Sequence, residues 1–153
     1  MAFKIFKMIP LWQLCQEGKL SEVRAALARG EDVNRKNDYN RTGLMGAVLS
    51  KHNSIVRLLL EQPTVDLNCF DLNRETVLHW ATTCYNVEAV RLLLADPRLS
   101  TANHTNHVGW TPVMIAIACN DVSTLCQLVA HPGVALDRVG CSLVEFARWV
   151  SFN

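Results

Sequence analysis

The chain has 153 residues, half of them hydrophobic and 19% charged, and its formal net charge is +1. This length leaves room for one domain or a few stacked repeats, with enough apolar side chain for a continuous core. A charge so close to neutral argues against nucleic-acid binding, which usually requires a concentrated basic excess.

Residues 1–8 (MAFKIFKM) contain two lysines but no sustained apolar stretch, so no signal peptide is predicted. The longest apolar run, from Val113 to Cys119, has seven residues, whereas a helix that spans a bilayer needs about 20. The chain is therefore expected to be soluble, with no membrane partner. Its six cysteines include no C-x-x-C pair, so we expect small buried thiols in a reducing compartment. That compartment is expected to be the cytoplasm, with the nucleus as the alternative.

A recurring leucine block marks an internal repeat. The sequence RLLL at residues 57–60 recurs at residues 91–94, which is 34 residues later. Pro63, Pro97 and Pro132 keep the same step, at 34 and 35 residues. A fixed period of this length is typical of repeat proteins that stack helix pairs.

Each unit of the repeat is predicted to be a pair of helices. Thr42, Thr76 and Thr111 lie 34 and 35 residues apart and each opens a short segment with apolar residues on one helix face. A second such face follows at residues 87–94 in the best-preserved copy. Polar stretches rich in Asn, Asp and Gly predict turns between the units. The predicted units are about 8–36, 37–70, 71–105 and 106–137, followed by a half unit at 138–153.

These segments resemble the ankyrin-repeat family. The family's helix start is matched by Thr76-Val77-Leu78-His79, its triple leucine by Leu92-Leu93-Leu94 and its Asp-Val-Asn end by Asp32-Val33-Asn34. The resemblance implies an all-α solenoid, one domain over residues 1–153, with about four and a half helix-turn-helix units joined by short β-hairpin-like loops. It also implies a monomeric adaptor or inhibitor that binds a protein partner through its concave face and is not an enzyme. The alternative is an interaction fragment or regulatory subunit of a larger multi-domain protein or enzyme complex.

The resemblance implies a set of partner-binding residues at the hairpin tips that border the concave side. Among them, Tyr39 and Trp110 are of the residue types that dominate interface energies, although packing of Trp110 on the adjacent hairpin is the competing interpretation. The full predicted set is Tyr39, Arg41, Leu72, Asn73, Glu75, His107, Val108, Trp110 and Arg138.

Asn34 and Asn68 resemble the asparagines that are hydroxylated in this family, and they are predicted modification sites. The competing interpretation is a structural asparagine that bonds the backbone of a turn. Mass spectrometry for one added oxygen, after coexpression with the hydroxylase, distinguishes the two.

Catalytic and metal-binding patterns are weak in this chain, so no catalytic residue, metal or cofactor is predicted. His79 and Cys84 are five residues apart, which puts them on different faces of a helix. His104 and His107 supply two candidate zinc ligands where four are needed. The resemblance gives His79 a structural role, a hydrogen bond to the hairpin turn.

The chain departs from the family pattern at the turn between the two helices of a unit. The usual glycine is present only as Gly18, while Lys51, Tyr85 and Asn120 occupy the equivalent positions. If these residues have positive φ, each costs about 1 kcal/mol relative to glycine, with asparagine the cheapest.

Stacking of the units predicts which side chains are buried. Trp80 aligns with Gly46 one unit earlier, so its indole is predicted to cover the space beside that glycine, with a ligand contact as the alternative. The predicted core comprises Leu44, Ala47, Ile55, Val56, Leu59, Leu60, Leu78, Ala81, Val90, Leu93, Leu94, Val113, Ala116, Leu125 and Leu128.

Overall fold

Eight helices follow one another along residues 9–135, the part of the chain that the computed structural model describes. Within that part, the extended backbone pairs at an isolated antiparallel bridge between Phe70 and Thr76. The predicted all-α repeat fold is confirmed. The helices are α1 (Leu11–Gln16), α2 (Leu20–Ala28), α3 (Gly43–Leu49), α4 (Asn53–Leu60), α5 (Val77–Thr83), α6 (Val87–Leu94), α7 (Pro112–Ala118) and α8 (Val122–Ala130).

The helices stack in two rows. The first helices of the pairs, α1, α3, α5 and α7, contact one another in order, and the second helices, α2, α4, α6 and α8, do the same. No single pair could bury its apolar face alone, so each pair depends on its neighbours. The predicted half unit 138–153 lies outside the described residues, and the single domain over 1–153 stays a prediction.

Threonines begin the first helices of the last three described pairs. The side-chain oxygens of Thr42, Thr76 and Thr111 each accept a hydrogen bond from the backbone N–H three residues later, at 3.4 Å. This bond satisfies one of the free donors at a helix start. Pro112 occupies the first helical position of α7, where its missing N–H costs no hydrogen bond. Pro10 precedes α1 as an extended residue.

Most of the predicted core is buried, with two exceptions. Leu60 and Leu125 are half-buried and pack against the core from one side. Leu60 is the last residue of α4, and Leu125 belongs to α8, the outermost helix of the described part. The prediction of buried thiols is right for Cys15, where burial raises the pKa to about 12, and wrong for the exposed Cys126.

The turns between paired helices adopt the left-handed conformation that the glycine pattern predicts. Lys51, Tyr85 and Asn120 have φ values of 58°, 55° and 52°. At the equivalent Gly18, a Cβ would lie 2.6 Å from Cε1 of the His52 ring. Only glycine fits there, whereas the other three positions are strained by the presence of a side chain.

Replacing Lys51 with glycine is expected to stabilise the protein by about 1 kcal/mol, because glycine adopts positive φ without steric cost. Lys51 is exposed, so little packing is lost. Urea unfolding monitored by circular dichroism measures the gain. Lys51→Ala is the matched control, since it removes the same side chain but keeps the Cβ. An equal gain in both variants would contradict the backbone explanation.

Three asparagines, each in the loop after the second helix of a pair, join that loop to the equivalent loop of the next unit. The side-chain amides of Asn34, Asn68 and Asn103 donate to a backbone carbonyl of the next loop at 2.7–2.9 Å. Their oxygens accept from a backbone N–H of that loop at 2.7–2.8 Å. The bonds give Asn34 and Asn68 a structural role, and hydroxylation stays a prediction. Sequence reasoning missed Asn103, because Asp and Val are absent from residues 100–102.

Candidate protein-binding site

Three loops between the helix pairs end in turns of the same construction, here called tip 1 (37–41), tip 2 (71–75) and tip 3 (106–110). A backbone N–H at the start of each tip donates to the carbonyl at its end, at 2.9–3.0 Å. The side chains of Asn37, Asp71 and Asn106 each accept two further backbone N–H groups of their own tip, at 2.8–3.1 Å. Such turns are closed by local side-chain acceptors, which favours Asn and Asp at these positions.

The tips are also bonded to one another. The backbone N–H of Leu72 donates to the carbonyl of Tyr39 at 3.2 Å, and that of His107 donates to the carbonyl of Asn73 at 3.0 Å. The Asn106 amide reaches back to Glu75 at 2.9 Å. The three tips therefore form one continuous hydrogen-bonded row.

Apolar side chains on this row are exposed. Tyr39, Leu72 and Val108 have 63%, 68% and 57% of their surface accessible. Trp110 is half-buried, so its two interpretations, binding and packing, both remain. The predicted residues Asn73 and His107 are exposed and Glu75 is half-buried, while Arg138 lies outside the described residues.

Arg41 is held by three side chains. Its guanidinium carbon lies 4.4 Å from the ring centroid of Trp80 and 5.5 Å from that of Tyr39. Its Nε donates to the buried carboxylate of Asp71 at 3.3 Å. Such stacking and pairing orient the cation. The Trp80 ring therefore packs against the Arg41 guanidinium, a contact that sequence patterns did not show.

The space beside Gly46 is filled differently from the prediction. A Cβ on this residue would lie 3.3 Å from the carbonyl oxygen of Trp12 and 3.4 Å from Cβ of Gln16. The close approach of α1 to α3, and not the indole of Trp80, therefore requires a small residue here.

His79 has the structural role that was predicted. Its Nδ1 accepts a hydrogen bond from the Thr76 backbone at 3.2 Å, and its Nε2–H donates to the carbonyl of Trp110 at 3.0 Å. Burial lowers the pKa of this imidazole from 6.5 to about 4. Burial also lowers the pKa of His104, which stacks on Phe70. His79 thus ties tip 3 to α5 in its neutral form.

Two recesses adjoin α1, and both are lined by Trp12 and Gln16. The less open one has a volume of about 140 Å³ and is also bordered by Tyr39, Arg41, Gly46, Leu49, Asn37 and Thr42. The other is wider and open, about 460 Å³, and is lined further by Gln13, Glu17 and Ser50.

Among the residues of this surface that sequence reasoning missed are Trp12, Gln16 and Asp71. The spacing offered a signal for Asp71, since it aligns with Asn37 and Asn106 at steps of 34 and 35. Trp12 and Gln16 belong to the first unit, which has no tip and so was not aligned. Among residues 9–135, no three His, Cys, Asp or Glu side chains are grouped so as to hold a metal ion.

A row of bonded tips beside two rows of stacked helices defines a helical repeat protein. The family model for ankyrin repeats, in three copies, matches residues 63–139. The chain belongs to the ankyrin-repeat family, and members of this family are generally protein–protein interaction modules.

Several known proteins are similar to this chain. YahD of Escherichia coli is 29% identical over 138 residues, which cover 86% of this chain and 68% of YahD. FPV014 of fowlpox virus is 30% identical over 141 residues, which cover 90% of this chain but 32% of that protein; the names of both include the words ankyrin repeat protein. The palmitoyltransferase Hip14 of Drosophila melanogaster is 38% identical over 91 residues, which cover 57% of this chain and 14% of Hip14.

Proposed function

We propose that this chain is a monomeric, non-enzymatic module, an adaptor or inhibitor, that binds a protein partner with its tips and concave face. The observation that carries the proposal is the exposure of Tyr39, Leu72 and Val108 on three adjacent tips. Exposed apolar groups gathered along one edge are characteristic of interaction surfaces. No helix of residues 9–135 has the length and apolar character to cross a membrane.

The construction of the tips supports this proposal energetically. Each tip is closed by hydrogen bonds of its own and tied to its neighbour through the backbone. A partner would therefore meet a surface that is already ordered, so little conformational entropy is lost on binding. Tyrosine adds a large, stiff contact of the type that is frequent in binding hot spots.

Removing the apolar tips is expected to abolish partner capture while the fold is retained. The triple variant Tyr39→Ala, Leu72→Ala, Val108→Ala changes side chains that are mostly exposed, so surface losses within about 0.5 kcal/mol each are expected. The measurement is quantitative mass spectrometry of proteins retained from native cell extract, compared between wild type and variant. At least a tenfold loss of the specific partner is expected, because a few such residues carry most binding energy.

The matched control replaces exposed apolar residues elsewhere. Val122 and Val129 on α8 are 63% and 44% exposed, and their double alanine variant should capture the partner like the wild type. Thermal unfolding of all three proteins checks folding. Capture that is unchanged in the tip variant, or lost equally in the α8 variant, would overturn the proposal.

The alternative function is that of a recruiting or regulatory part of a larger protein. Its support is the small share that this chain covers of relatives such as Hip14, 14%, and the rice protein XBOS33, 17%, named a probable E3 ubiquitin-protein ligase. An immunoblot of native extract distinguishes the two, since a band well above 17.1 kDa supports the larger protein.

A location in the cytoplasm or nucleus is further proposed. Its support is that the described cysteines carry free thiols, and cell fractionation tests it.

A further inference from the structure

The smaller, partly open recess of about 140 Å³ between α1, α3 and tip 1 has the size of one side chain. An apolar protein cavity of roughly 150 Å³ is known to hold a benzene molecule, so a phenyl ring or a branched aliphatic group fits. Trp12, Tyr39 and Leu49 supply apolar walls, and the backbone of Gly46 lies at its border.

Arg41 gives this recess a charged group that is already oriented. Its guanidinium stacks on Trp80 and uses Nε for Asp71. Within residues 9–135, its Nη1 and Nη2 atoms donate to no other residue, and 28% of the side chain is exposed. Since a guanidinium has five donors, the end carrying Nη1 and Nη2 can bind a second carboxylate in a bidentate manner.

Among the three described tips, only tip 1 combines such a recess with an arginine side chain. The positions equivalent to Arg41 are Glu75 and Trp110, and neither can bind a carboxylate through a charged donor. A recess that has three apolar walls and is also lined by an oriented cation is complementary to an apolar group that carries a nearby negative charge.

We propose that this recess is an anchor site for an apolar side chain of a partner peptide that has an acidic residue beside it. The apolar group fills the space between Trp12, Tyr39 and Leu49, and Arg41 binds the carboxylate. The proposal rests on the proposed function only in taking the ligand to be part of a protein.

Phenylacetate, which joins a ring to a carboxylate, is the probe that tests the site. Titration into the ¹⁵N-labelled protein should produce saturable shifts of the Gly46 and Thr42 amides and of Arg41 Nε–H, with a Kd on the order of 1 mM. Phenylacetamide, which keeps the ring without the charge, and acetate, which keeps the charge without the ring, should each bind at least about tenfold more weakly.

A variant that fills the recess separates the site from general surface binding. Leu49→Trp should abolish the phenylacetate shifts, whereas Thr83→Trp, the equivalent position one unit later and exposed, should leave them unchanged. Arg41→Gln should reduce binding to the level of phenylacetamide in the wild type. Equal binding of phenylacetate and phenylacetamide, absence of saturation, or unchanged shifts in Leu49→Trp would overturn the proposal. The capture experiment with the tip variant does not depend on these results, so failure of either proposal is seen separately.

Discussion

Lowering the pH from 7.5 to 5 is expected to remove about 2 kcal/mol of unfolding free energy through His79 alone. The imidazole is fully buried and bonded in its neutral form to Thr76 and to the carbonyl of Trp110. A proton on Nδ1 would remove the acceptor of the Thr76 N–H and would place a charge in a buried site. Burial therefore holds the pKa at about 4 in the folded protein.

The direction of this pH effect follows from the number of protons that the folded and unfolded states bind. The imidazole of the unfolded chain titrates near 6.5 and that of the folded chain near 4, so the unfolded chain binds more protons between these values. Stability is therefore complete above about pH 6.5 and is lost as the pH falls toward 4. His104, whose pKa is also lowered by burial, acts in the same direction. The carboxylates of Glu88 and Asp96, whose pKa values are lowered by their arginine partners, stay charged in this range.

Urea unfolding at several pH values between 5 and 7.5 measures the loss. His79→Gln, which cannot titrate, should be less stable at pH 7.5 by about 1–3 kcal/mol because hydrogen bonds are lost, but it should show a shallower pH dependence. His107→Gln, at an exposed position of tip 3, is the control and should follow the wild type. A pH dependence that is equally steep in His79→Gln would contradict the assignment to His79.

The fold was predictable from the sequence because the same pattern of residues recurs in several units. The step between Thr42, Thr76 and Thr111 determines which residues are equivalent, and equivalent residues in a solenoid share their surroundings. For the same reason the alignment of Lys51 and Tyr85 with Gly18 raised the question of positive φ, which both residues have.

The candidate site was predictable only in part. Exposure of Tyr39 and Leu72 followed from their place in a turn, but the grouping of Arg41, Trp80 and Asp71 did not. These three belong to different elements, and their contact depends on how two neighbouring units are offset. Such an offset comes from tertiary packing and leaves no periodic signal in the sequence. The alignment of the units even argues against this grouping. The residue equivalent to Trp80 in the preceding unit, 34 residues earlier, is Gly46, so the units do not share a tryptophan at this position.

Replacing Asp71 with alanine is expected to destabilise the protein by about 3 kcal/mol, the second large effect that the structure predicts. The carboxylate is 3% exposed. Its Oδ1 accepts the backbone N–H groups of Asn73 and Glu75 at 2.8 Å and 3.0 Å, and its Oδ2 accepts from Arg41 at 3.3 Å. Alanine would leave two backbone donors of tip 2 without their acceptor and the Arg41 cation without its counter-charge.

The neighbouring tips provide the matched control. Asn37 and Asn106 close their own tips through an amide oxygen in the position of Asp71 Oδ1. Asp71→Asn should therefore keep both backbone bonds, lose only the partner of Arg41, and cost about 1 kcal/mol. Urea unfolding at pH 7.5 separates the two variants, and equal losses would mean that the ion pair, not closure of the tip, dominates. Since Leu72 lies within tip 2, weaker partner capture in Asp71→Ala but not in Asp71→Asn would show that the closed turn is what positions the apolar edge.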